Sequence, residues 1–287
     1  MLIKGKLKMK GIILVNKDFN KTSRDMVNEL NHIFTMKRIG HTGTLDPIAT
    51  GVLVMCLGTY TKLVDKLSAL EKEYIAEIKL GIKTDTLDIT GNVLEEMPCH
   101  VTKDEVEKVL ESLKGTFRQV VPIYSAKKIN GKKLYEYARE GKEVELPVNE
   151  VEIFDIQLLD MHDDIIKFKT LVSKGTYIRS LIEEITKRLN VLGTMNSLIR
   201  TKQGKYSIED SYTINDIKND NYKILDARSA LGYEEIKLND NEYFKVKNGN
   251  KIKFNTTSEY VICTYENEEI AIYKKEEDLY RIDIMLM

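Results

Sequence analysis

A chain of 287 residues, 42% hydrophobic and 31% charged, has the composition of an ordinary globular protein, long enough for one large domain with a small appendage. No apolar run is long enough to cross a bilayer and no signal-peptide pattern is present, and both absences favour a cytoplasmic location. The net charge of −1 offers no global attraction to a polyanion, so a nucleic-acid surface would have to be a local basic stripe.

Residues 1–9 are basic up to a second methionine, Met9, and are expected to form a flexible extension. Gly11 to Asn16 is a short apolar run predicting a strand. Thr22 and Ser23 offer an N-cap, and Met26, Val27, Leu30, Ile33 and Phe34 recur at helical spacing. Residues 52–57 (VLVMCL) read as a buried strand, and the preceding HTGTLDPIATG as a structured loop. Glu73 to Leu80 alternates as a strand does. Thr102 and Glu105 form a capping box, and Val106, Val109, Leu110 and Leu113 carry the helix to Gly115. Residues 151–159 and 165–172 predict paired strands. Ile178, Leu181, Ile182, Ile185 and Leu189 form another amphipathic stripe.

Helices and strands mix without βαβ alternation, which predicts an α+β fold with a mixed, largely antiparallel sheet flanked by helices. Residues 122–150 are rich in lysine and tyrosine, lack a sustained apolar face and are expected to project as an insertion. After residue 231 short β-like segments (260–265, 270–274, 279–285) predict a small β module spanning 232–287. The three cysteines and four histidines are scattered, so neither a zinc site nor a disulfide framework is expected.

The loop GHTGTLDPIATG holds one carboxylate among small and hydroxyl residues. Pro47 stiffens the turn at Asp46. Gly40, Gly43 and Gly51 permit close approach by another segment, and the threonines can pair with loop backbone. A capped Asp-Pro turn and a reactive carboxylate are both open on these residues alone. A second group, Ser173-Lys-Gly-Thr-Tyr-Ile-Arg179, lies where a strand meets a helix; Arg179 paired with Asp46 would favour the charged form that nucleophilic work requires. A third, Lys72-Glu73-Tyr74, opens a strand, where Tyr74 is either a base-stacking aromatic or a core residue. Nucleotide-binding glycine patterns are absent.

Taken together and in order, these segments resemble the bacterial tRNA pseudouridine-55 synthases of the TruB family. GHTGTLDPIATGVL is similar to the family's catalytic motif, KEYIAEIKLGIKTDTLDITG to its second and SKGTYIRSLIEEI to its third. YSAKKINGKKLYEYAREG resembles its RNA-gripping insertion and LIRTKQGKYSIED its pocket-closing segment. The resemblance runs from about Gly11 to about Ala230; the last residues resemble a divergent PUA-type RNA-binding module. One departure stands out. The family's first strand commonly continues as Lys-Pro-x-Gly, whereas this chain has Lys17-Asp18-Phe19-Asn20.

The resemblance implies a pseudouridine synthase fold over residues 10–231 and isomerisation of the T-loop uridine of tRNA, a base-flipping reaction needing no cofactor or metal. It implies that Asp46 acts at the ribose C1′, that Tyr74 stacks on the flipped base, and that Arg179 pairs with Asp46. Tyr177 and Leu198 would line the pocket, and His41 would fill the space the flipped nucleotide leaves in the RNA. Lys17, Arg38, Lys62, Lys127 and Lys128 are candidates for phosphate contacts. The implied partner is the tRNA T-arm, bound by a monomer without a protein partner or membrane. The alternatives are a non-catalytic RNA-binding or RNA-folding protein, which would not need Asp46, and a guide-RNA-dependent relative.

Overall fold

The computed structural model describes residues 9–287; the expected extension up to residue 8 lies outside the described residues. Met9, assigned to that extension from sequence, is instead half-buried against the core. The chain runs through β1 (Gly11–Lys17), α1 (Ser23–Phe34), β2 (Ile39–His41), β3 (Thr50–Leu57), a 3-10 turn (Gly58–Leu63), α2 (Val64–Ser68) and β4 (Lys72–Leu80). It continues through a hairpin of β5 (Ile82–Thr84) and β6 (Val93–Glu96), then α3 (Lys103–Glu111) and β7 (Gly115–Val120). A small excursion follows, with β8 (Lys128–Ile129), β9 (Lys132–Lys133) and α4 (Leu134–Arg139). Next come β10 (Val148–His162), β11 (Ile165–Val172), α5 (Ile178–Arg188), β12 (Gly193–Gln203), β13 (Tyr206–Ser207), α6 (Ile214–Lys218) and α7 (Ala227–Leu231). The C-terminal module comprises β14 (Glu234–Lys237), α8 (Asp240–Lys247), β15 (Tyr260–Tyr265), β16 (Glu268–Glu276) and β17 (Leu279–Met285).

The main sheet of the described residues has nine strands in the order β1-β3-β12-β4-β11-β10-β7, with β2 beside β3 and β13 beside β12. Its pairings are antiparallel except that β12 runs parallel to β3 over Ile199/Thr50 and Arg200/Gly51. That parallel step fixes the residue at 51. Gly51 has φ +105°, and a Cβ there would sit 2.2 Å from the Arg200 carbonyl oxygen, so only glycine fits.

Strand β4 shows how sequence becomes sheet. Its inward residues Tyr74, Ala76, Ile78 and Leu80 are buried, and the residues between them are half-exposed. On that face α5 lays down Leu181, Ile182 and Ile185, and α3 adds Val106 and Leu110, around Phe168 and Ile156. Elsewhere α1 buries Met26, Val27 and Leu30 against Ile13, Val15, Leu53 and Met55 of β1 and β3. Helix α1 begins at a reciprocal capping box between Thr22 and Asp25 and stops at Thr35, which adopts left-handed geometry.

The C-terminal module shares a core with the main domain. Ile262, Ile272 and Leu286 pack with Ile12, Leu14, Val54 and Tyr60. Glu269, which the sequence places among an acidic cluster, is only 4% exposed here. It accepts hydrogen bonds from the Tyr60 hydroxyl and from the backbone N–H groups of Ala227 (3.0 Å) and Arg228 (2.9 Å). A carboxylate at this depth needs such partners to remain buried. The module also contains α8, a helix that the β-like pattern of its sequence did not predict. Among the described residues no helix is long and apolar enough to cross a membrane.

Candidate active site

The Asp46 loop is held from several sides. The Thr42 N–H continues the β2–β3 ladder to the Val54 carbonyl at 3.1 Å, and the Ala49 N–H closes the turn on the Asp46 carbonyl at 3.0 Å. Leu45, Ile48 and Ala49 are buried in the core beneath it. The Ser23 hydroxyl, at the start of α1, accepts from the Leu45 N–H at 2.9 Å. Arg200 of β12, 1% exposed, donates from Nε to the Val52 carbonyl (2.7 Å) and from Nη2 to the Gly43 carbonyl (3.2 Å), clamping both ends of the loop.

Lys17 is the fourth brace, and this corrects its expected place at the phosphate surface. Its side chain is fully buried, and Nζ donates to the carbonyls of Asp18 (2.8 Å), Lys21 (2.6 Å) and Pro47 (3.3 Å). The ammonium therefore ties the departing segment 17–21 to the Asp46 loop, and its side chain does not reach the surface. Asn20, in that segment, takes φ 58°. Asparagine tolerates that conformation better than most residues, so the turn forms here without a glycine.

Burial pushes the Lys17 pKa down to about 8, against the pull of the Asp18 and Asp46 carboxylates. A lysine lowered in the fold is charged more readily in the unfolded chain. Between pH 8 and 10.5 the unfolded state thus binds more protons, and raising the pH favours the fold. Urea unfolding of the wild type and Lys17→Met at pH 8, 9 and 10 is expected to show a steeper rise with pH in the wild type. The difference should grow by about 2 kcal/mol between pH 8 and pH 10. Parallel pH profiles would mean that Lys17 is not held in this way.

Arg179 sits in the first turn of α5, 4% exposed. Its Nε lies 2.9 Å from Asp46 Oδ2 and its Nη2 donates to Oδ1 at 3.0 Å, a side-on bidentate pair. Nη1 donates to the Thr86 carbonyl and Nη2 also to that of Tyr124, both at 2.9 Å. Asp88 approaches Nη1 to 4.0 Å and is itself fixed by the hydroxyls of Thr86 and Thr90 and the Thr90 N–H. The guanidinium has almost no freedom left. Asp46 keeps 31% of its side chain exposed toward a cavity of about 570 Å³.

Tyr74, Tyr177, Leu198 and Lys127 line that cavity, together with Lys72, Lys174 and Arg200. Tyr74 lies on β4 opposite Thr170 and Arg200 and is 7% exposed. Burial raises the Tyr177 phenol above its ordinary range, so its hydroxyl stays protonated at neutral pH. Lys72 donates to the carbonyls of Ser68 (2.6 Å) and Leu70 (2.7 Å), and burial lowers its pKa to about 8.

Other expected residues lie outside the cavity lining. His41 ends β2, half-buried; burial and the nearby Arg200 and Arg24 lower its pKa and keep the imidazole neutral. Arg38 is exposed and donates to the Thr61 hydroxyl at 2.7 Å, and Lys128 is exposed on β8. Lys62 is also exposed, but its Nζ donates to the Met285 carbonyl at 2.7 Å, so this lysine fastens the C-terminal module. Sequence reasoning left Lys72, Asp88 and Arg200 out of the site. The signal for Asp88 was present in TDTLDIT, where hydroxyls concentrate around two carboxylates.

The fold is that of the pseudouridine synthases. A solved Cbf5-Nop10-Gar1 complex matches with a TM-score of 0.71 at 21% identity, covering 96% of this chain and 85% of that one. An H/ACA RNP bound to a substrate RNA containing 2'-deoxyuridine matches at 0.70 and 21% identity, with the same coverage. Residues 31–178 match the profile of the TruB family pseudouridylate synthase (N terminal domain). A Clostridium tetani protein named tRNA pseudouridine synthase B is 45% identical, covering 85% of this chain and 86% of its own length. Its Caldanaerobacter subterraneus namesake is 39% identical, covering 91% and 93%. The chain belongs to the TruB family of pseudouridylate synthases.

Proposed function

We propose that this protein isomerises the T-loop uridine at position 55 of tRNA to pseudouridine, acting in the cytoplasm as a monomer that requires no protein partner. The observation that carries this reading is the bidentate Asp46–Arg179 pair, which opens onto a cavity in the size range of small-ligand sites and walled by Tyr74, Tyr177 and Leu198.

The target uridine lies inside a folded RNA arm and must be extruded, at a cost of a few kcal/mol. Stacking on Tyr74, worth about 1–3 kcal/mol, and phosphate contacts from cations at the cavity mouth offset that cost. Arg179 presents the Asp46 carboxylate toward the ribose C1′. The N1–C1′ bond breaks, the base rotates, C5 joins C1′, the C5 proton is released to water and N1 takes up a proton, so that no atom is gained or lost overall. A protonated Tyr177 and an apolar Leu198 suit a pocket that holds a neutral pyrimidine and limits water. His41 is assigned to the gap left in the RNA, and Arg38 and the C-terminal module to contacts with the rest of the tRNA.

The test is tritium release from tRNA labelled at uridine C5, followed by mapping of the product. One tritium per tRNA, with pseudouridine in the T-loop, is expected. Product at another position, or none, would overturn the assignment.

Lys127 and Lys128 are assigned to phosphates. Replacing both with alanine is expected to weaken tRNA binding and lower the slope of log affinity against log salt by about 1–2. Equal slopes for wild type and variant would remove these residues from the interface.

A further inference from the structure

Gln119, near the end of β7, is 1% exposed, an uncommon depth for a polar side chain outside the residues already assigned to the reaction. Its amide is matched to one residue's backbone groups. The Tyr177 N–H donates to Oε1 at 2.7 Å, and Nε2 donates to the Tyr177 carbonyl at 2.9 Å. Two bonds to the same residue fix both the position and the rotation of its backbone, where a single bond would leave a hinge.

Tyr177 is where α5 begins. It is extended, has no side-chain cap among the described residues, and its carbonyl accepts the helix's first bond, from Leu181 N–H at 3.0 Å. A helix start of this kind has orphan N–H groups and depends on tertiary contacts for its direction. Two residues later comes Arg179. The same stretch of chain makes two more ties. The Ser180 hydroxyl donates to the Val120 carbonyl at 2.9 Å, and Arg179 Nη2 donates to the Tyr124 carbonyl. Residues 119–124 therefore run alongside the first turn of α5, and they form the root of the segment carrying Lys127 and Lys128.

We propose that Gln119 is a positioning residue for pseudouridine formation. It sets the backbone orientation of Tyr177, and through it the aim of the Tyr177 ring and the Arg179 guanidinium at the cavity. It also keeps that aim in register with the root of the RNA-gripping insertion. This rests on the reading of Asp46 and Arg179 as the reacting pair.

The test compares single-turnover rates on C5-tritiated tRNA with tRNA affinity and thermal melting for Gln119→Leu, Gln119→Glu and Arg179→Lys, and for Gln119→Leu combined with Arg179→Lys. Gln119→Leu keeps the volume and loses both bonds. Its rate at saturating tRNA is expected to fall about 10²-fold, with affinity held within about twofold. Gln119→Glu retains the acceptor for the Tyr177 N–H, so it should recover part of the rate, and its rate decides the matter if Gln119→Leu does not fold. In the Arg179→Lys background the Gln119→Leu cost should shrink to under about tenfold, because the group being aimed is already displaced. A Gln119→Leu that loses affinity but not rate, or loses rate only in proportion to its folded fraction, overturns the proposal. So does an undiminished cost in the Arg179→Lys background. Wild-type turnover by Arg179→Lys alone instead overturns the reading of the reacting pair, and the Gln119→Leu rate then tests Gln119 through Tyr177.

Discussion

Asp46→Asn is expected to bind tRNA about as tightly as the wild type and to turn it over at least about 10⁴-fold more slowly, in the range seen when a residue of the reacting set is removed. Volume and shape are nearly unchanged, so the cavity and the loop braces from Ser23, Lys17 and Arg200 persist. What changes is the charge and one acceptor. Arg179 still aims two N–H donors at this side chain but finds only one oxygen, because the amide nitrogen is itself a donor. The guanidinium keeps the Thr86 and Tyr124 carbonyls and nearby Asp88, so the variant should fold with a loss of about 1–3 kcal/mol. Removing a negative charge from a surface that meets phosphates should not weaken binding and can strengthen it. Single-turnover tritium release set beside filter-binding affinity separates the two effects. A rate within tenfold of wild type would refute the assignment of Asp46.

The parts of this fold that could be read from the sequence are those where local pattern and tertiary environment agree. Residues 73–80 and 165–172 alternate cleanly because one face of each strand meets the helices. The boxes at Thr22–Asp25 and Thr102–Glu105 announce their helices because the caps are local chemistry. Strand β12 lies inside the sheet, between β3 and β4, and was not predicted. Its register shifts twice, between Met195 and Ser197 and between Arg200 and Lys202, which breaks the two-residue period. It also buries Thr194, Arg200 and Gln203, so its inward face does not look apolar. Helix α8 buries only Val246, and its polar sequence shows no apolar face.

The site divides along the same line. The Asp46 loop is a contiguous segment whose proline, glycines and threonines mark it as special. Its braces are not contiguous with it. Lys17 reads in sequence as one more surface lysine, and only the three carbonyls around it, one of them 30 positions away, make it a structural cation. Gln119 reads as an ordinary strand residue until α5 is placed beside it. Residues whose role depends on a distant partner leave little local signature, and Arg200 and Asp88 belong to that group.

Arg179→Lys is expected to slow the reaction by about 10²–10³-fold while leaving the site's net charge intact. A lysine offers one ammonium on a flexible stem. It cannot reproduce two parallel bonds to Asp46 while also donating to the Thr86 and Tyr124 carbonyls. The carboxylate would keep a nearby cation but lose its fixed orientation toward C1′, and misplacement by about 1 Å costs on the order of 10²-fold. Arg179→Ala goes further, leaving buried Asp88 with its threonine partners and no cation. Its stability loss should be about 3 kcal/mol, the low end for removing one partner of a buried pair, since Asp46 retains some solvent. The two variants thus separate geometry from charge. If geometry dominates, Arg179→Lys and Arg179→Ala should have similar rates at saturating tRNA, and only Arg179→Ala should show a lowered urea midpoint. Millimolar ethylguanidinium should then restore part of the Arg179→Ala rate by entering the vacated space. A lysine variant that turns over at the wild-type rate would show that the bidentate geometry is not needed, and would overturn the reading of Asp46 and Arg179 as a fixed reacting pair.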